Sequence, residues 1–132
     1  PYYWHGNEPD LNAAFLFAQL GRPDLTHTWA RWIIDTHYAD TPAGVAGNDD
    51  GGALGSWYVF AALGLYPIAG SADYIVSTPI FERARIVVDG HELIIDAPGA
   101  SSAGSRAQMF FVTHSRSRPH MSLSTSPSGL GG

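Results

Sequence analysis

The stretch "AGNDDGG", residues 46–52, sets Asn48 and the adjacent carboxylates Asp49 and Asp50 among glycines, directly ahead of the apolar run "ALGSWYVFAALGLYP". Asn-Asp and Gly-Gly are ordinary turn chemistry, so one reading is a solvated loop that caps a helix. A second polar turn, His5-Gly6-Asn7-Glu8-Pro9, also stands immediately before a helical pattern. Two connecting helices of about 10 and about 15 residues would carry the chain away and back, at 1.5 Å rise per residue. Glu8 and Asp50 are then expected at one rim, where helix N-termini favour carboxylates.

Three carboxylates and two amides on one rim suit two kinds of chemistry. They could hold a hard cation such as Ca²⁺, which takes six to eight oxygen ligands, although the spacing is not that of an EF-hand. They could also supply a general base, because crowded carboxylates raise one another's pKa. Tyr2, Tyr3 and Trp4 offer flat apolar faces with polar edges, which fit a sugar ring as well as they fit a core. Among the six histidines no metal-binding spacing occurs. His27 and His37 fall on a helical pattern and read as surface or packing residues, whereas His5 adjoins the polar turn. No Gly-x-Ser-x-Gly elbow supports serine chemistry.

The elements that must position these residues follow from periodicity. Asp10 is a candidate cap for a helix over 11–20, with Gly21 as its C′ residue. A second helix fits from Asp24 to Ala39, with Leu25, Trp29, Trp32 and Ile33 on one face. Only "GRPD" separates the two, which predicts antiparallel neighbours. The run from Ala53 to Tyr66 is apolar nearly all round, must be buried on several sides, and is ended by Pro67. Beyond it come β-branched runs, and Asp89-Gly90 between "RIVV" and "ELIID" signals a hairpin. Three helices of this kind carry too many apolar side chains to enclose alone, so they are expected to belong to a larger helical assembly.

The chain has 132 residues, 45% of them hydrophobic, and a formal net charge of -5. All seven basic residues are arginine. That balance argues against a nucleic-acid surface, and no run approaches the length of a membrane span. Without cysteine, disulfides, zinc-thiolate sites and thiol catalysis are excluded. Pro1 as first residue reads as a cut inside a longer protein. The Ser-, Pro- and Gly-rich stretch 114–132, with Arg116 and Arg118, is expected to be a disordered tail.

"HGNEPD", then "DTPAGVAGNDDGGALGSWYVFAALGLYP", then "YIVSTPIFERARI" stand in an order and spacing that resemble the C-terminal part of glycoside hydrolase family 92. These are calcium-dependent, inverting exo-α-mannosidases. The resemblance runs from about residue 2 to 99, with departures at Asn12, Ala14, Gly55 and Ser56. It implies an α+β chain: 1–66 as the last helices of an (α/α)₆ barrel, 67–113 as a small antiparallel sheet region against a β-sandwich. It further implies Asp50 as the catalytic base with Asp49 assisting, Asn7 and Glu8 as calcium ligands, and Trp4, His5 and Asn48 as contacts to a mannose-containing glycan. The family's general acid lies upstream of this segment, so the chain alone is expected to be inactive and to need the N-terminal part of the same protein. A secreted or periplasmic location is expected for that parent. A calcium-dependent carbohydrate-binding module without catalysis, or a purely structural piece, are the competing readings.

Overall fold

The computed structural model describes residues 3–100 and the backbone of the strand at 111–116. Three helices come first: α1 (Ala13–Gln19), α2 (Pro23–His37) and α3 (Ala53–Ala62). Two small antiparallel sheets follow. Strand β1 (Leu65–Pro67) pairs with β2 (Tyr74–Val76), and β3 (Arg83–Val88), β4 (His91–Asp96) and β5 (Phe111–Arg116) form a sheet in that order. The mixed α+β composition matches the expectation. Strand β5 runs past the boundary drawn at 113; the rest of the expected tail, 117–132, lies outside the described residues.

Helix α1 begins later than expected, and Asp10 is not its cap. Glu8–Asp10 forms a short 3₁₀ turn with Pro9 inside it, and the cap position falls to Asn12, without a side-chain cap bond. Helix α2 starts on Pro23, whose missing N–H costs nothing in a first turn. Leu20, Gly21 and Arg22 join α1 to α2, and the two helices pack together closely.

The buried face of α2 is Thr26, Ala30, Ile33 and Ile34; of the predicted stripe Leu25, Trp29, Trp32 and Ile33, only Ile33 belongs to it. On that face Thr26 Oγ1 accepts the Ala18 N–H of the adjoining α1 at 2.9 Å. Trp29 and Trp32 stay 44% and 40% exposed. With Tyr3 and Phe17 they line an apolar groove of about 440 Å³. Replacing Thr26 with valine keeps the shape but strands the Ala18 N–H, and is expected to cost about 1–2 kcal/mol. A urea midpoint unchanged in that variant would contradict it.

Trp57 of α3 is the centre of the core. Its ring meets Phe15 edge-on and lies parallel to Tyr38 at a 5.8 Å centroid distance, while Nε1 donates to the Leu11 carbonyl at 2.7 Å. Ala14, Phe15, Ala30, Ile33, Ile34, Ala61 and Ile75 complete the cluster. The expected long helix stops at Ala62, before Pro67. Gly64 takes φ +73°, turns the chain, and frees Leu65–Pro67 to pair as a strand. A side chain at Gly64 is barred twice over, since a β-carbon there would lie 2.5 Å from the Ser77 carbonyl oxygen. The hairpin at Asp89-Gly90 is present as read, with both residues at positive φ and Val88 opposite His91.

Helix α3 is not covered all round, because Val59 is 55% exposed. Leu16, Leu20 and the two α2 tryptophans are open as well.

Candidate active site

The two polar turns meet through glycines. A β-carbon on Gly47 would lie 3.0 Å from the Gly6 carbonyl oxygen, and one on Gly6 would lie 3.0 Å from the Ala46 carbonyl oxygen and 2.8 Å from Trp4 Nε1. Only residues without a side chain let these backbones approach so closely. The contact sets the starts of the two turns side by side, with Asn7 and Asn48 each directly following its glycine in the chain. Asn7, Glu8, Asn48, Asp49 and Asp50 are all exposed, and Trp4, 54% exposed, covers Gly6 from the same quarter.

Asp49 and Asp50 do different things. Asp49 Oδ1 accepts the backbone N–H of Gly55 at 2.9 Å, and its carbonyl accepts from Gly52 and Leu54. It is therefore the cap of α3, reaching in from outside the helix. Asp49→Ala is expected to destabilise by about 1 kcal/mol, read as a lowered melting temperature; no change would remove the capping role. Asp50 has φ +50°, followed by Gly51 and Gly52 at +68° and +98°. Left-handed backbone is unusual for a residue other than glycine and marks a place where the surroundings hold the chain in a chosen direction.

His5 occupies a different position from the other candidates. It has no exposed surface. Its Nδ1 is 2.7 Å from the Tyr3 hydroxyl, and its Nε2 is 2.7 Å from the Tyr38 hydroxyl. Tyr38 in turn donates to the Leu54 carbonyl at 2.9 Å. The Tyr3 hydroxyl has a longer alternative, the Asp10 carbonyl at 3.5 Å, so the shorter Tyr38–Leu54 bond assigns the imidazole proton to Nε2 and leaves Nδ1 to accept from Tyr3. His5, expected to contact sugar, is fully buried in this structure, with its ring behind the exposed residues. Burial, with His37 nearby, lowers its pKa to about 4, and burial raises both tyrosines well above their ordinary value. His37 packs against Trp4 and Trp32, as read from the helical pattern.

Among the described residues no three histidine, aspartate or glutamate side chains gather as a cation site. Asn7 and Glu8 offer two oxygen-bearing side chains on one turn, which falls short of the shell calcium takes. The residue that sequence reasoning passed over is Tyr38. It follows the last turn of α2 with no motif around it, and only its contacts reveal its importance.

Exposed carboxylates on glycine turns, with a tryptophan face beside them, belong to the chemistry of carbohydrate-active proteins, and the comparisons agree. The glycosyl hydrolase family 92 catalytic domain matches residues 1–116. A protein of Arthroderma benhamiae described as an uncharacterized secreted glycosidase is 46% identical over 81 residues, 61% of this chain and 10% of that protein. A family GH92 alpha-mannosidase from Bacteroides thetaiotaomicron, solved in complex with mannoimidazole, is 40% identical with a TM-score of 0.59, over 63% of this chain and 11% of that one. These matches define the class as a glycosyl hydrolase catalytic domain. The chain belongs to glycosyl hydrolase family 92. It spans about a tenth of the length of these relatives, and the family match extends past residue 99 to the end of β5. Among the described residues no helix is long and apolar enough to cross a membrane.

Proposed function

We propose that this chain is part of an inverting exo-α-mannosidase acting on terminal α-mannosides of glycans, and that it carries the base of the reaction. The observation behind this reading is the contact of the two polar turns at Gly6 and Gly47, with Asp50 exposed in left-handed backbone beside it. In inversion, a carboxylic acid protonates the departing glycosidic oxygen while a carboxylate on the opposite face takes a proton from the attacking water. Asp50 is the carboxylate in this scheme. Asp49 holds the loop, Trp4 and Asn48 meet the sugar, and the acid comes from a part of the protein outside this chain, so that the chain alone is inactive.

The same reading makes α1, α2 and α3 the last helices of an (α/α)₆ barrel. Its support is the exposure of the large apolar side chains Leu16, Leu20, Trp29, Trp32 and Val59 on the three helices, which further helices would cover. Calcium is part of the proposal. Asn7 and Glu8 supply two donors, and the remaining ligands belong to the sugar and to segments outside this chain. When bound, such an ion engages sugar hydroxyls and favours ring distortion. The glycan substrate is met outside the cell, as the description of the fungal relative as secreted suggests.

The test is to follow hydrolysis of an aryl α-mannoside by the full-length protein with proton NMR, with and without a chelator. β-Mannose as the first product, and a rate lost on chelation, are the expected results. α-Mannose first would end the inverting mechanism, and binding of mannose without any hydrolysis would favour a carbohydrate-binding module.

A further inference from the structure

We infer that Tyr38 is a positioning residue for this active site, tying the two polar turns to one point in the core. The inference rests on the assignment of Asp50 as base. Tyr38 contacts everything that matters to the geometry of both loops. Its hydroxyl accepts from His5 Nε2, next to the Gly6-Asn7-Glu8 turn, and donates to the carbonyl of Leu54 in the first turn of α3. Its backbone bridges to Val45, where the Asp49-Asp50 loop begins. Its ring lies at 3° to that of Trp57.

One residue thus holds the start of the loop through its backbone, and the helix that ends it and the histidine behind the opposing turn through its hydroxyl. The bridge also depends on Gly44, since a β-carbon there would fall 1.7 Å from the Ala39 carbonyl oxygen. Asp50 and the Gly6 turn keep their spacing only while these anchors share one reference. An error of an ångström in such spacing costs far more in rate than in fold or in substrate affinity.

Tyr38→Phe removes the hydroxyl and keeps the ring. In the full-length protein, with an aryl α-mannoside as probe, we expect kcat to fall at least tenfold while KM stays within twofold. A kcat equal to wild type overturns the inference, even with a lowered melting temperature, because that pattern is structural only. A parallel rise in KM without loss of kcat also overturns it. Should the variant fail to fold, the wild-type protein still decides: ¹⁵N NMR of the histidine rings is expected to show His5 protonated on Nε2 and bare on Nδ1, and the opposite tautomer overturns the relay. Asp50→Asn is assayed alongside. If it keeps full activity, the base assignment falls and takes this inference with it; if it is dead while Tyr38→Phe is fully active, only the role of Tyr38 falls.

Discussion

Replacing Asp50 with asparagine in the full-length protein is expected to lower turnover of an α-mannoside by about 10²–10⁴-fold, the range over which a positioned general acid or base contributes. Asparagine is the sharper substitution here for a backbone reason. Asp50 sits at φ +50°, and asparagine tolerates left-handed backbone, whereas alanine there adds strain of about 1 kcal/mol or more. Asp50 is exposed and outside the core, so the melting temperature of the asparagine variant should match wild type. Loss of rate at constant stability identifies chemistry. A near-normal rate with asparagine at 50 would sink the assignment outright, and the loop would revert to a helix cap built on Asp49.

The second large effect is on stability as pH falls. His5 has a folded-state pKa of about 4 against an ordinary value near 6.5. The unfolded chain therefore binds the proton first as the medium is acidified. The contribution is complete above about pH 6.5, declines as pH drops from there towards 4, and is flat again below that. One pKa unit corresponds to 1.36 kcal/mol, so the loss is at most about 3 kcal/mol. Urea midpoints measured from pH 7 to pH 4 should fall across that window in wild type and fall less in His5→Phe. The cause is burial of the ring, with His37 nearby adding to it. A ring that titrates near pH 6.5 by NMR would remove the effect. Asp24, held to about 2 by the Arg22 guanidinium, titrates below the window and does not blur it.

How much of this was legible in advance differs by element, and the differences have physical causes. The Asp89-Gly90 hairpin could be read because two adjacent residues determine that turn by their own backbone preferences. The end of α3 was misread because apolar periodicity continues through Leu65 and Tyr66, while the left-handed Gly64 that breaks the helix weighs little in a hydrophobic count. The face of α2 was misread for a related reason. Periodicity rewards large apolar side chains, so it selected Trp29 and Trp32 together with Ile33, whereas the face turned to the core is Thr26, Ala30, Ile33 and Ile34.

The site divides in the same way. Asp49 and Asp50 were both legible as carboxylates on a glycine loop, yet their separate roles were not. Which one bonds to Gly55 N–H depends on how the loop enters the helix. His5 was legible as adjoining the polar turn, but its full burial was not, since burial is a property of what packs around a residue.

By itself the sequence determined the chemistry available to this chain: carboxylates without thiols, glycines at the two loops, and aromatic residues beside them, in the order that marks family 92. Those are local facts, carried by residue type and spacing. Only the tertiary structure decided that Gly6 and Gly47 touch, that Asp49 caps while Asp50 stays free of the helix, and that Tyr38 reaches His5 and Leu54 together. Such contacts join segments remote in the chain, and their geometry depends on the packing of every helix between them.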